Sequence, residues 1–428
     1  MIPWSGSTLS LVRSFRRDPL QLLTSLHQRY GPIVRLRVPG RAVYSVSDPD
    51  AIQQALTRTH REYHKGISRR RDPTGPGIVP LRPVLGDGLL TSEAALHKRQ
   101  RRLIQPMFHR ARVAEYESII AVLAEEMVRG WADGEVRDVH RDFTELTLAV
   151  IARTVFDVSL DNDVIRVIRT AIAQHQPAMS RLVAPLGPRW KRAQREINTM
   201  LYDLIAARRS APPGRDVLSL LVAARDPDTG EPMPDRLIRD EAMTLLLAGH
   251  ETTANALAWT LHLLSLSGYS GSDVKSVWLE SLRLYPPAWL QTRRLVAPAV
   301  VAGHELPAGA MLLFSPWVVH RDPQWWPAPL VFDPSRWEGT AAARPRFAYF
   351  PFGGGPRQCI GNDFADLEGV TVLAAILRRF RVEPAVGVPP VEPAPLVTLR
   401  PRHGVHVRLK TVVAPPYVST HDGEPRHR

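Results

Sequence analysis

The residues with the clearest chemical potential lie in PFGGGPRQCIGNDFADLEGV, residues 351–370, which holds Cys359, the single cysteine of the chain. The glycine run before it, residues 353–355, allows backbone conformations closed to other residues and a close approach to a flat ligand. Apolar spacing predicts a long helix that begins at Cys359, and the free N–H groups of a first helical turn favour a thiolate. Such a thiolate could be a nucleophile or a metal ligand, and a buried inert cysteine is the alternative.

A second group of polar residues interrupts a long apolar helix predicted for residues 236–265, with Asp235 as its N-cap. Glu251 and Thr252 lie in its middle and could form an acid–alcohol pair that transfers protons. Gly249 would let the helix open locally at that point. The alternative is a polar patch that contacts a neighbouring helix.

A third candidate is the pair Glu280 and Arg283 in the segment VKSVWLESLRLYPP. A spacing of three places both side chains on one helix face, within ion-pair distance. Because this spacing arises by chance about once or twice in a chain of such length and average composition, the pair alone indicates no function.

The stretch FGGGPRQCIG, from Phe352 to Gly361, resembles the haem-binding signature of the cytochrome P450 family at every fixed position. The resemblance implies that Cys359 is the thiolate ligand of the iron of haem b. It also implies that Phe352, Gly353 and Gly361 belong to the cofactor-binding loop.

The same resemblance assigns roles outside this loop. It implies that Glu251 and Thr252 deliver protons to dioxygen. It also implies a buried structural network in which Glu280 and Arg283 are joined by Arg336 of FDPSRW. Two haem carboxylates that enter a low-dielectric pocket need cationic donors. The expected donors are His97, Arg101, Arg293 and Arg357.

The resemblance covers about residues 15–410 and implies a triangular, helix-rich single domain, mainly α with small β-sheets (α+β). One domain is expected over 1–428, with flexible ends at 1–14 and 411–428. Thr252 and Glu280 are only 28 positions apart, where the family places additional helices. A short turn at 267–273 is therefore expected.

Periodicity and turn residues predict the remaining elements. They are a helix at 20–30, strands in IVRLRV and AVYSVSD, a long loop at 64–90 and a closing hairpin at 396–410.

Composition limits the partners. The net charge is +13, but the basic residues are arginines scattered along the chain without aromatic interleaving, so nucleic acid is not expected as a partner. The sequence contains no run of about 18 or more uncharged apolar residues, so no membrane anchor is expected. One cysteine excludes an internal disulfide framework and favours a cytoplasmic location.

The resemblance to the cytochrome P450 family implies a monooxygenase that inserts one oxygen atom from O2 into an apolar small molecule by hydroxylation or epoxidation. A terpenoid or fatty-acid-like substrate is favoured. Ferredoxin and ferredoxin reductase, or a flavodoxin, are expected as separate electron donors, because the positive charge suits an acidic partner. A peroxide-driven peroxygenase of the same fold and a non-catalytic haem-binding relative are the alternatives.

Overall fold

A computed structural model describes residues 2–3, 7–58, 62–65, 81–158, 163–180, 187–269, 271, 273–338 and 344–412. These residues are mainly α-helical with small β-sheets, and the prediction of the fold class is confirmed. No helix among them is both long and apolar enough to cross a membrane. The helices are α1 (Thr8–Arg17), α2 (Pro19–Tyr30), α3 (Pro49–Thr57), α4 (Arg82–Leu85), α5 (Ala94–Ile104), α6 (Arg110–Ala114), α7 (Glu117–Arg129), α8 (Val139–Val155), α9 (Asp163–Ser180), α10 (Pro188–Ser210), α11 (Val217–Ala223), α12 (Asp235–Ser267), α13 (Val274–Leu284), α14 (Pro316–Val319) and α15 (Asn362–Leu377).

The strands form four small sheets among the described residues. The strands are β1 (Ile33–Val38), β2 (Arg41–Val46), β3 (Tyr63–His64), β4 (Val136–Asp138), β5 (Gln291–Leu295), β6 (Ala299–Val301), β7 (His304–Leu306), β8 (Met311–Phe314), β9 (Phe380–Pro384), β10 (Pro393–Pro395), β11 (Leu399–Pro401) and β12 (His406–Thr411). The largest sheet has the order β1-β2-β8-β5-β3, and the others are β4-β12-β9, β10-β11 and β6-β7.

The 33-residue helix α12 is the axis of the main hydrophobic core, and it packs against α8, α10, α13 and α15. Its side chains are buried around much of its circumference, which is typical of an interior helix. The Thr147 hydroxyl on α8 donates to the carbonyl oxygen of His250 at 2.9 Å. The two helices therefore pack closely at the centre of α12.

Gly249 has a packing role at this contact. A Cβ atom at this position would lie 2.6 Å from Cδ1 of Ile151 on α8. The helix is continuous through residues 249–253, so the local opening predicted from the sequence is absent from this structure. The glycine therefore permits close helix packing here.

Several boundaries differ from the sequence prediction. Pro234, not Asp235, is the N-cap of α12, while Asp235 lies in the first turn and pairs with Arg209. Helix α15 begins at Asn362 instead of Cys359, because the glycine-rich loop continues past the cysteine.

The segments predicted as a loop and a hairpin also differ. Residues 396–410 do not form one hairpin, since β11 pairs with β10 and β12 pairs with β4 and β9. Most of the loop predicted at 64–90 lies outside the described residues, and α4 forms within the remainder.

The structure describes most of the N-terminal end and most of the short connection after α12. Helix α1 covers residues that were expected in a flexible end, and its Leu11 is buried. Residues 413–428 lie outside the described part. Helix α12 ends at a left-handed Gly268, and α13 begins at Val274, so the connection is short, as predicted.

The contact between Gly249 and Ile151 can be tested by a double-mutant cycle. Helix propensity favours Ala over Gly by about 1 kcal/mol. We nevertheless expect Gly249→Ala to lower the free energy of unfolding by about 1–3 kcal/mol, because the added methyl group overpacks the contact. Ile151→Val removes Cδ1, and in that background the cost of Gly249→Ala should fall. Chemical denaturation of the four proteins measures the coupling, and equal costs in both backgrounds would contradict it.

Candidate functional site

The backbone of residues 350–359 folds into a tight loop that presents the Cys359 side chain. The Cys359 N–H donates to the carbonyl oxygen of Phe352 at 2.9 Å. Gly353 and Gly355 have φ values of +70° and +66°, which disfavour other residues. A Cβ atom at Gly355 would lie 2.1 Å from the carbonyl oxygen of Leu56. Glycine is thus required by both the turn and the neighbouring helix α3.

Cys359 is exposed as a residue, although many protein atoms lie close around its thiol group. Burial raises the pKa of the thiol, and this effect exceeds the opposing effects of a hydrogen bond from the Gly361 N–H and of the cations Arg101 and Lys65. The sequence predicted a thiolate favoured by a first helical turn. The stabilising groups are instead a loop N–H and two cationic side chains, because α15 begins three residues later.

Two predicted cofactor residues lie on one face of α5. His97 and Arg101 are one helical turn apart, and His97 is buried. The Arg101 guanidinium donates from Nη1 to the carbonyl oxygen of Gln358 at 2.6 Å. This hydrogen bond joins α5 directly to the residue before Cys359.

The other predicted cations, Arg293 and Arg357, meet Lys65, which the sequence analysis missed. Burial lowers the pKa of Lys65 to about 7, with further lowering by Arg357 and Arg293. Burial likewise lowers the pKa of Arg293 to about 10 and that of Arg357 to about 10. The three cations therefore lie close together in a poorly solvated site.

Glu93 is the carboxylate that acts on all three cations. It accepts from Arg357 Nη2 at 2.6 Å and from the backbone N–H of Lys65 at 3.0 Å. The Lys65 ammonium donates to the carbonyl oxygen of Leu90 at 2.9 Å. No pattern in the sequence marked Lys65 or Glu93, because only the fold brings residues 65, 93, 293 and 357 together.

The donor set fits haem b. A thiol suits iron, and several buried cations suit two carboxylates. The pKa values of these cations are lowered despite Glu93, so further negative charge would stabilise them. Nε of Arg357 is buried and has no hydrogen-bond partner. Within the described part of the chain, no cluster of three or more His, Cys, Asp or Glu side chains could hold a separate metal ion.

The predicted acid–alcohol pair lies on α12, and both hydroxyl and carboxylate have defined contacts. Thr252 donates from Oγ1 to the carbonyl oxygen of Ala248 at 2.7 Å. Glu251 accepts a hydrogen bond at Oε1 from the Thr398 hydroxyl at 2.6 Å. Both residues are half-buried, and Ala248 is exposed. The sequence did not identify Thr398, which lies in the loop between β10 and β11.

Glu368 on α15 is a second candidate that the sequence analysis missed. Its carboxyl group is fully buried, and neither oxygen has a hydrogen-bond partner of normal geometry. Burial raises its pKa to about 8, with an opposing effect from the nearby Thr253 hydroxyl. The group is therefore mainly protonated at neutral pH, next to the polar centre of α12. The sequence of α15 did not set Glu368 apart from the nearby Asp363 and Asp366.

Glu280, Arg283 and Arg336 form a buried network in the described structure. Arg283 donates to both carboxylate oxygens of Glu280, at 2.7 and 2.8 Å, and both side chains are fully buried. Arg336 Nε lies 3.3 Å from Glu280 Oε1, and Trp337 Nε1 donates to Oε2 at 3.0 Å. Arg283 also donates to three backbone carbonyl groups of the segment before Arg336, those of residues 320, 329 and 331. The network thus fixes the chain that leads to the Cys359 loop.

Comparison with known families matches the Cytochrome P450 family model to residues 1–267 and 274–407. The gap in the match, residues 268–273, coincides with the short connection between α12 and α13. The match covers far more than half of the chain.

Named relatives come from Streptomyces and Mycobacterium species. Cyclooctatin synthase of Streptomyces melanosporofaciens is 36% identical, over 93% of this chain and 92% of the relative. Cyclooctat-9-en-7-ol 5-monooxygenase of the same organism is 33% identical, over 90% and 89%. Pentalenene oxygenase of Streptomyces avermitilis is 31% identical, over 88% and 90%.

The buried network predicts a large loss of stability when its carboxylate is removed. Glu280→Ala leaves Arg283 buried without its paired charge, so the free energy of unfolding should fall by about 3–5 kcal/mol. The matched control is Asp163→Ala, which breaks an exposed pair with Arg166 at the same spacing and should cost much less. Chemical denaturation of both variants measures the difference. Similar losses for the two pairs would contradict the assigned role.

Proposed function

This chain belongs to the cytochrome P450 family and is a haem-thiolate monooxygenase that uses haem b, and from this premise we propose that Cys359 is its iron ligand. The proposal rests on one observation: the loop from Phe352 to Gly361 presents Cys359, the single cysteine of the chain, beside a group of buried cations. When bound, haem supplies the activation of dioxygen and the insertion of one oxygen atom into substrate.

The protein contributes binding and orientation of the cofactor. The Gly361 N–H donates to the sulfur, which limits the electron donation of a thiolate to a metal. The propionate carboxylates would be held by five cationic or imidazole side chains. These are Lys65, His97, Arg101, Arg293 and Arg357.

We propose that Glu251 and Thr252 deliver protons during oxygen activation. Thr252 is half-buried in a mainly apolar helix, and its hydroxyl donates a hydrogen bond to the Ala248 carbonyl oxygen. When a hydroxyl group at this position donates its proton, a neighbouring carboxyl group can supply a new proton to it. Glu251 precedes it directly in the chain and is held by Thr398.

We propose a terpenoid as the substrate. The relatives named above act, by their names, on cyclooctat-9-en-7-ol and on pentalenene. Ala248 on α12 and Ala288 expose apolar side chains although their neighbours Leu246 and Trp289 are buried, which is consistent with an apolar binding surface. The peroxide-driven and non-catalytic alternatives are not favoured, because these relatives are named as oxygenases.

We propose separate electron donors, namely an acidic ferredoxin with its reductase or a flavodoxin, in the cytoplasm. The net charge of +13 favours an acidic partner. Arg110 is 87% exposed and pairs with Asp363 in the first turn of α15, so basic surface reaches the helix that follows Cys359. The rate of reduction should fall as salt rises, since exposed charges are screened beyond about 8 Å at physiological ionic strength. A single cysteine fits a reducing compartment.

Proton delivery predicts a specific defect for Thr252→Ala. The variant should bind haem and substrate normally and still consume reduced nicotinamide through the donor proteins, but divert electrons to hydrogen peroxide. The measurement is product formed per nicotinamide oxidised, with peroxide assayed in parallel and pentalenene and cyclooctat-9-en-7-ol as probe substrates. We expect at least a several-fold fall in this ratio.

The matched control is Thr260→Ala. Thr260 lies on the same helix and makes the same type of hydrogen bond, to the Ala256 carbonyl oxygen at 2.8 Å. If Thr252→Ala forms as much product per nicotinamide oxidised as Thr260→Ala does, the Thr252 hydroxyl is only a helix contact and its catalytic role is refuted.

A further inference from the structure

A continuous chain of side-chain hydrogen bonds leads from Glu251 to a different part of the fold. Thr398 donates from Oγ1 to Glu251 Oε1 at 2.6 Å, and it lies 3.2 Å from the donating Nδ2 of Asn255. The Asn255 Oδ1 lies 2.9 Å from Nε2 of His140. The chain therefore joins α12, the β10–β11 loop and the first turn of α8.

The two central residues of this hydrogen-bond chain are buried, whereas Glu251 and His140 at its ends are half-buried. Asn255 is fully buried and Thr398 is 8% exposed. The Thr398 hydroxyl uses its one proton to donate a hydrogen bond to Glu251. The same oxygen accepts a hydrogen bond from the Asn255 amide. Burial lowers the pKa of His140, so its neutral ring donates through Nε2 to Asn255. The orientation of the Thr398 hydroxyl is thus fixed from both sides.

The loop that carries Thr398 is itself anchored. Trp259 on α12 donates from Nε1 to the carbonyl oxygen of Leu399 at 3.1 Å. The Trp289 Nε1 donates to the carbonyl oxygen of Leu396 at 2.9 Å. These bonds hold the backbone on both sides of Thr398, so its hydroxyl has a defined position relative to α12.

We propose that Thr398 is a positioning residue for proton delivery: its hydroxyl, oriented by Asn255 and His140, holds the Glu251 carboxylate in the geometry needed to supply Thr252. This inference rests on the proposed role of Glu251. Asn255 carries an amide, which does not readily relay protons. The hydrogen bonds through Asn255 therefore orient the Thr398 hydroxyl and do not conduct protons. Thr398 acts through Glu251, whose carboxylate its hydroxyl contacts.

The test compares two variants of Thr398. Thr398→Val keeps the shape of the side chain but loses the hydroxyl, whereas Thr398→Ser keeps the hydroxyl. Measurements use the haem-loaded enzyme, surrogate donor proteins and cyclooctat-9-en-7-ol. Thr398→Val should slow nicotinamide oxidation several-fold, as Glu251→Gln does, without a dominant diversion to peroxide. Thr398→Ser should restore the rate to within about twofold, and the double variant Thr398→Val/Glu251→Gln should be no slower than Glu251→Gln alone. Thr260→Val, a buried substitution of the same type on α12, is the control.

Two outcomes separate this inference from the proposed function. If Glu251→Gln slows turnover and Thr398→Val does not, the positioning role is refuted while the proton-delivery role of Glu251 stands. If Glu251→Gln itself has no effect, the proposed role of Glu251 fails, and the positioning role fails with it. Additive slowing in the double variant would likewise overturn the inference, because it would show an effect of Thr398 that is independent of Glu251.

A second readout does not depend on turnover or on a substrate. The midpoints of chemical denaturation of wild type, Thr398→Val, Glu251→Gln and the double variant form a thermodynamic cycle. The effect of Thr398→Val should be smaller in the Glu251→Gln background, because the charge-assisted hydrogen bond is already weakened there. Equal effects in the two backgrounds would show that the hydroxyl does not hold Glu251.

Discussion

Burial of charge beside Cys359 is the constraint on which the rest of this structure depends. Lys65, Arg293 and Arg357 lie together where burial lowers the pKa of each, and Glu93 alone does not restore these values. Such a group of cations is costly unless negative charge enters the site. A cofactor with two carboxylates and an iron for the thiolate meets this need. In the proposed haem site, the electrostatic cost of these buried cations would be relieved by the carboxylates of haem b and would contribute to its binding free energy.

Rigid surroundings keep this charge cluster in place. The Glu280–Arg283–Arg336 network fixes the chain before the Cys359 loop through hydrogen bonds to backbone carbonyl groups. Helix α12 is fixed by close packing on α8 at Gly249. The short connection from Ser267 to Val274 leaves these contacts intact, because α13 still packs against both α12 and α15.

The sequence predicted the parts of the site that depend on local spacing. The ten-residue loop signature singled out Cys359 as the expected iron ligand, and apolar spacing predicted the helix α12 that carries Glu251 and Thr252. Contacts between distant segments could not be predicted in the same way. Lys65 and Thr398 carry no local signal, since only the fold brings Lys65 together with Arg293 and Arg357 and Thr398 together with Glu251. The predicted start of α15 at Cys359 was wrong because apolar spacing does not register a loop stabilised by Leu56 and by left-handed glycines.

The ligation of iron by Cys359 is the central claim, and the reduced carbon-monoxide spectrum of Cys359→Ser tests it most directly. The chain contains no other cysteine, so no second thiolate can replace it. Wild type should show the Soret band typical of thiolate-ligated haem, and Cys359→Ser should lose this band whether or not it retains haem. Haem content and the far-ultraviolet circular dichroism spectrum, measured on the same samples, separate loss of ligation from loss of folding. A folded, haem-loaded Cys359→Ser protein that keeps the thiolate-type band would contradict the assignment.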